Sequence, residues 1–449
     1  MFLTLSPAAA GRGSSDSWIP RLLPRGMTII FLMSLLATWI RAESDIPLTW
    51  QDCVRLAAEK NPQLLSAIRA QEAGRAQYSG SYNGIFPHLS LSNSYTDSKE
   101  SGIAESKSWQ AQGSASLDLI DLNQWAAIQN SAASWRQSQA NAWLASSNVL
   151  LNLYKAFAAL LYTQEEIGVN KSIRDLWDQN AQMISLRYDS GAESKGNNMQ
   201  TQAQFLQADV ALTQVGRDLL VAQQQLAQAL GQDDFSALAV TGTWAVTRAP
   251  LSPPDLNPLV ERLPSMLVQQ AVVDQAKASV RAAQSALFPT LSLNYNRGAE
   301  GSSEFPSSPF WTFTGLVSYP LFGGGPTATY YAVSAANKNY AKAQQDLHTV
   351  RLQARSALES AWSGFAQAED QVRVQRAFLD SAIQRKQESD IMYQSGLMSF
   401  QDWQLIMNDY VNFQKSYLSA EQNLIAAEGQ WRFATGQQLD VTPAKAGVQ

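Results

Sequence analysis

The sequence predicts a membrane β-barrel carried on long α-helical hairpins, built from a unit of helix, strand hairpin and helical hairpin that occurs twice. Three observations predict it: landmarks that recur in the same order in both halves, long stretches without proline, and four segments in which apolar and small polar residues alternate. Composition narrows the alternatives. The chain has 449 residues with 13 Trp, 14 Tyr and 16 Phe, yet only 16% are charged, against about 25% in ordinary soluble domains. One cysteine and two histidines leave no disulfide framework, cysteine zinc site or His-rich metal centre. A formal net charge of -5 argues against a nucleic-acid partner, which calls for a basic patch.

The N-terminus comes first. Arg21 and Arg25 precede an apolar run from Met27 to Ile40, and Ala42 offers a cleavage point. A basic region followed by a run too short for a comfortable membrane span is the pattern of a secretory signal peptide, assigned to residues 1–42. No later window supplies 18 uncharged apolar residues, so the mature chain is expected to be exported without a membrane helix. Cys53 follows Trp50-Gln51-Asp52 and lacks the small preceding residue that lipoprotein processing needs. It is expected to pack as a small hydrophobe on the first helix, unlipidated.

The two units align by their landmarks. Phe86-Pro87-His88-Leu89 recurs as Phe288-Pro289-Thr290-Leu291, and Tyr188-Asp189-Ser190-Gly191 as Tyr393-Gln394-Ser395-Gly396. Asn61-Pro62 and Leu263-Pro264 open the units, and Gly231-Gln232 and Gly436-Gln437 close them. The first unit is placed at 43–249 and the second at 250–441, joined by a proline-rich connector, with 442–449 as a flexible tail.

Helices fill the proline-free stretches. None occurs between Pro87 and Pro250, or between Pro326 and Pro443, and proline inside a helix costs about 3 kcal/mol. Leu150, Leu153, Tyr154, Phe157 and Leu161 recur at helical spacing. A continuous helix from Asn123 to Tyr188 would be about 100 Å long, a length that belongs to coiled-coil assemblies. Gly191 and Gly396 then mark hairpin turns between antiparallel helices.

Strands occupy about 86–97, 108–121, 288–297 and 309–322. Leu89, Leu91 and Tyr95 alternate with His88, Ser90, Ser92, Ser94 and Thr96, and Trp109, Ala111, Gly113, Ala115 and Leu117 with Gln110, Gln112, Ser114, Ser116 and Asp118. Leu291, Leu293 and Tyr295 alternate with Ser292, Asn294 and Asn296; Trp311, Phe313 and Val317 alternate with Thr312, Thr314 and Ser318. An apolar face, a small polar face and aromatics near the ends (Tyr95, Trp109, Tyr295, Trp311 and Phe313) suit strands that cross an outer membrane. A half-buried strand in a soluble sandwich shows the same alternation. Four strands cannot close a barrel, since a spanning sheet leaves no edge unpaired in lipid. Copies of the chain must share one barrel: three copies give twelve strands and two give eight.

In this order the segments resemble the TolC family of outer-membrane efflux proteins. The resemblance rests on Leu48 to Pro62, Phe86-Pro87, Phe288-Pro289, the Arg187-to-Gly191 turn, Tyr319 to Gly325 and the Tyr393-to-Asp402 segment. It implies a mixed membrane β-barrel plus α-helical barrel, in which a homotrimer closes a twelve-strand barrel in outer-membrane lipid above a periplasmic coiled-coil tunnel. It also implies a periplasmic adaptor protein and an inner-membrane pump, proton-driven or ABC type, as partners. The function implied is the exit duct of a tripartite efflux pump or type I secretion system. By the same resemblance, Gly191, Ala192, Gly396 and Leu397 form adaptor-docking tips, and Asp402 and Tyr393 belong to the pore constriction. The sequence departs from that pattern at Leu405, Met398 and Asn197, where well-known members carry two aspartates and an arginine. A charged latch of the usual kind is therefore not expected; Tyr393 is kept and can still hydrogen-bond between helices, and closure is assigned to packing and Asp402.

No enzyme is expected. Cys53, His88 and His348 fall on unrelated segments, and Gly323-Gly324-Gly325 leads into Pro326 and not into a phosphate loop. No cofactor is called for. The competing reading is a soluble periplasmic coiled-coil adaptor, which requires polar exposure on both faces of 86–119 and 288–322.

Overall fold

The computed structural model describes residues 47–99, 106–233, 238–242, 248–250, 255–319 and 327–439. The segment expected to be a signal peptide, the glycine triplet at 323–325 and the tail from 442 lie outside them, as does Leu321.

Helix α1 (Trp50–Lys60) starts with a capping box between Thr49 and Asp52. Asn61 ends it and caps α2 (Pro62–Ser81), accepting from the Gln63 and Leu64 amides, with Pro62 at the first helical position. A short 3-10 turn (Tyr82–Ile85) leads to β1 (His88–Ser98) and β2 (Ser106–Ile120). Then come α3 (Leu122–Asp189), α4 (Lys195–Leu230) and the short α5 (Leu256–Val260). The second half repeats the plan: α6 (Pro264–Ser285), β3 (Thr290–Gly301), β4 (Ser308–Ser318), α7 (Ala328–Gln394) and α8 (Phe400–Ala434).

The strands form one antiparallel sheet in the order β1-β2-β3-β4, leaving β1 and β4 as open edges. Register fixes the faces. Leu89 pairs with Ala115, Leu91 with Gly113 and Tyr95 with Trp109. Ala115 in turn pairs with Tyr295, and Tyr295 with Phe313. The apolar residues of all four strands therefore share one face, and Ser90, Ser114, Asn296 and Thr312 share the other. Phe310 and Leu316 break the pattern: they pair with Gly298 and Ser292 on the polar face. A register shift between Asp118 and Ile120 ends the alternation of β2 just before α3 begins.

Helices α3 and α7, of 68 and 67 residues, run the whole length below the sheet. Each pairs first with a short helix near the sheet and then with its hairpin partner, α4 or α8. Where the short helices end, apolar side chains close around the waist. Cys53, Leu64, Leu153, Phe157, Leu226 and Leu230 form one cluster, and Val260, Leu263, Met266 and Leu358 a second. A parallel bridge between Leu48 and Val240 adds a strip of sheet there. Gly231 and Gly436, the closing landmarks, lie against the opening ones. A Cβ on Gly231 would stand 2.5 Å from Lys60 O, and one on Gly436 would stand 3.3 Å from Leu263.

Among the described residues, one helix, α3, is long and apolar enough to cross a membrane by composition, but 56% of its most apolar window is buried within the fold. That apolarity serves internal packing. The sheet behaves oppositely: Leu91 is 92% exposed and Trp311 71%.

Candidate functional site

The far ends of the helical hairpins are built by one device used twice. Gly191 and Gly396 adopt positive φ (78° and 75°), where glycine carries no steric cost. The Gly191 amide donates to Tyr188 O and the Ala192 amide to Arg187 O; the Gly396 and Leu397 amides donate to Tyr393 O and Met392 O in the same way. These paired bonds are Schellman closures. Three residues after each glycine a serine caps the returning helix, Ser194 over the Asn197 amide and Ser399 over the Asp402 amide. Gly191, Ala192, Gly396 and Leu397 thus stand at two exposed tips, with open space where a Cβ on either glycine would go.

Asp402 occupies the first turn of α8. Its carboxylate accepts the Ser399 hydroxyl at 2.7 Å, and its side chain is exposed in the single chain. Leu405, one turn on, is exposed as well. As an acidic residue at a helix N-terminus, Asp402 also interacts favourably with the macrodipole.

Tyr393 sits differently. It is 2% exposed, stacked on Trp403 with ring centroids 4.7 Å apart and planes 16° from parallel. Its hydroxyl donates to Glu193 Oε1 at 2.6 Å. The Arg187 guanidinium lies 4.7 Å from the Tyr393 ring centroid, and Arg187 Nη1 reaches Tyr393 O at 3.5 Å. Asn197 donates its side-chain amide to the other Glu193 oxygen at 2.8 Å. Behind Trp403, its indole N–H donates to Asp390 at 2.9 Å, and Asp390 also pairs with Lys386 at 2.8 Å.

This arrangement sets the protonation states. Burial works to raise the Glu193 pKa, but the Tyr393 hydroxyl, the Asn197 amide, the Ser194 backbone and the Arg187 charge outweigh it and hold the group below the ordinary carboxylate range. Burial, then the bond to Glu193, push the Tyr393 phenol well above its ordinary value. An ionised acceptor and a neutral donor make a charge-assisted bond, the stronger kind.

Tyr393 thus does hydrogen-bond between helices, and its acceptor is Glu193. Glu193, which the sequence reading did not single out, joins the first hairpin to the second, and Asn197 supports it in place of an aspartate. The available signal was an acidic residue wedged between the tip glycine and the capping serine, where the second hairpin has Met398.

The interface aromatics are gathered on the sheet. Tyr95 and Trp109 are register partners with ring centroids 4.8 Å apart, and Tyr295 and Phe313 are partners on the neighbouring strands. Trp311 faces the same way, opposite Arg297.

The sequence pattern of the family described as "Outer membrane efflux protein" matches residues 53–232 and 256–437, most of both halves. The chain is a member of the outer membrane efflux protein family. The two matched stretches of this efflux protein each hold one strand hairpin and one helical hairpin. It is 23% identical over 307 residues to the outer membrane protein TolC of Vibrio cholerae, covering 65% of this chain and 68% of that one. It is 24% identical over 353 residues to the alkaline protease secretion protein AprF of Pseudomonas aeruginosa, covering 71% and 73%. Its fold matches the crystal structure of a membrane protein from Pseudomonas aeruginosa with a TM-score of 0.80 at 17% identity, over 87% of this chain and 92% of that chain. An efflux protein of the outer membrane accounts for the exposed apolar sheet face. A soluble adaptor does not.

Proposed function

We propose that three copies of this chain close a twelve-strand barrel in the outer membrane and a helical tunnel beneath it, a passive exit duct for small molecules or proteins. The observation that carries this reading is the four-stranded sheet. It has two unpaired edges and one apolar face open to its surroundings, a state that lipid tolerates only after closure with further strands. A periplasmic adaptor meets the tips at Gly191, Ala192, Gly396 and Leu397, and an inner-membrane pump supplies the energy. Neither catalysis nor a cofactor has a role in a duct. Cys53, fully buried in the waist cluster, is no lipid anchor, and export follows removal of residues 1–42.

At the entrance, the Tyr393–Glu193 bond holds the hairpins of one chain together, while Asp402 from each copy faces the passage and favours cations, as acidic rings do.

Single-channel current in planar bilayers tests this, using the detergent-purified mature chain beside Asp402→Ala. A small steady conductance whose cation preference falls in the variant is the expected result. Protein that stays soluble without detergent and never inserts overturns the duct. A conductance indifferent to the substitution removes Asp402 from the passage.

A further inference from the structure

One residue on the apolar sheet face does not suit hydrocarbon. Alternation along β3 places Leu291, Leu293, Tyr295, Arg297 and Ala299 on one side, and Arg297 pairs with Gly113 on β2 and Trp311 on β4. Arg297 is exposed, and its guanidinium has no carboxylate partner among the described residues. Asp97 and Lys107, the other charged residues on this face, are opposite one another in register at the far end of the first hairpin. Glu300 belongs to the other face, paired with Gln110 and Ser308. A cation on a lipid-facing strand is costly unless it reaches the interface and finds an anion.

Its position provides the route. Arg297 lies in the half of β3 away from the helices, level with Trp311, where interfacial aromatics gather in such barrels. Beside it the surface is hollow. Gly113 and Ala115 have little or no side chain, and Leu89, Leu91 and Tyr295 wall the gap, leaving an apolar depression of about 530 Å³. An apolar trough whose Gly113 is the register partner of Arg297 matches an amphiphile: the chain in the trough, the anion on the planar fork that arginine offers to phosphate. Arg297, Gly113 and Ala115 lie on the two inner strands, so closing the barrel through β1 and β4 sets new strands beside Leu89 and Leu91 at one wall of the trough and none beside Arg297.

We infer that Arg297 and the trough at Gly113 and Ala115 form a binding site for a phosphate-bearing lipid of the outer leaflet, one per chain. The inference rests on the duct reading above, which sets the sheet's far end at the outer surface.

Native mass spectrometry of the detergent-purified full-length assembly, with bisphosphorylated lipid A added, tests it. Lipid A is expected to bind at up to one molecule per chain and to outlast phosphatidylethanolamine at equal concentration. Arg297→Gln should lower its occupancy at least tenfold, and Arg297→Lys should keep part of it. Ala115→Leu, which fills the trough and spares the cation, should lower it several-fold. Unchanged binding in Arg297→Gln overturns the site, as does equal binding of phosphatidylethanolamine. Displacement of the lipid by millimolar inorganic phosphate overturns the trough's part. Conductance recorded in parallel separates the two readings: an Arg297→Gln channel that conducts yet keeps its lipid sinks the site alone, whereas wild-type protein that never inserts sinks the duct and the site with it.

Discussion

The Tyr393 hydroxyl donates to Glu193 Oε1 at 2.6 Å across 200 positions of sequence, fastening the end of α7 to the tip beyond α3. Each side is itself held. Trp403 stacks on the phenol, and the Asn197 amide and the Arg187 guanidinium bracket the carboxylate and the ring. The bond lies between the two hairpins of one chain, so it can resist a hairpin swinging away from its neighbour while leaving the rest of the tunnel free.

Removing the donor should loosen this end. Tyr393→Phe keeps the stack on Trp403 and loses one bond to a charged acceptor, in the range of about 1.5–3 kcal/mol where fully shielded and nearer 1 kcal/mol at this partly solvated tip. About 1 kcal/mol corresponds to roughly a five-fold change in population. Open probability in bilayers should rise by about that factor in Tyr393→Phe and in Glu193→Gln. The double variant should add little to Tyr393→Phe, because both act on one bond: Tyr393→Phe removes its donor, and Glu193→Gln leaves an acceptor without its charge. Fully additive effects would show that the two residues act separately.

The same pair sets a pH window. The Glu193 pKa is lowered in the folded chain, so its contribution is complete above the ordinary glutamate value of about 4.3 and is lost as pH falls through the folded value. The Tyr393 pKa is raised, so its contribution is complete below about 10 and is lost as pH rises through the folded value. Conductance should therefore be insensitive to this pair between about pH 5 and 9 and increase on acidification below about pH 4.3. A wild-type rise between pH 5 and 7 that Glu193→Gln abolishes would contradict the assignment.

What the sequence disclosed and what it hid divide along range. Strand faces need only a period of two, so Leu89, Leu91, Trp109 and Trp311 could be placed before any contact was known. Hairpin turns need only a glycine after a helical run, which made Gly191 and Gly396 visible. Glu193 was not visible because its partner lies on another hairpin, and its role exists only once both tips are folded. Arg297 was passed over for a local reason: Asn296 and Gly298 on either side dissolve the alternation, and only the pairing with Trp311 and Gly113 shows which face it shares.

Glycine at the waist should matter more than glycine at the tips. Gly191 and Gly231 both hold positive φ, which costs an L-residue about 1–2 kcal/mol. A Cβ at Gly191 meets nothing, whereas one at Gly231 falls 2.5 Å from Lys60 O and 2.9 Å from Asn61 Cα, and backbone cannot step aside cheaply. In thermal unfolding followed by circular dichroism, Gly231→Ala should lower the midpoint distinctly more than Gly191→Ala. Equal shifts would mean that α4 does not close against the α1–α2 junction as described.

The two faces of the sheet make opposite demands on charge. Leu91 and Ser92 are neighbours in β1, one on the apolar face and one on the polar face. Arginine at position 91 would have to enter lipid, at a cost of up to about 4 kcal/mol near the midplane, so Leu91→Arg should sharply reduce the amount of assembled protein in outer-membrane fractions. Arginine at position 92 would enter a water-filled lumen lined by serine, asparagine and threonine. Ser92→Arg should therefore assemble at near wild-type levels and shift the reversal potential toward anions, because three added cations repel permeant cations. Membrane yields that fall equally for the two substitutions would mean that neither face is wet, and the barrel reading would fail at its foundation.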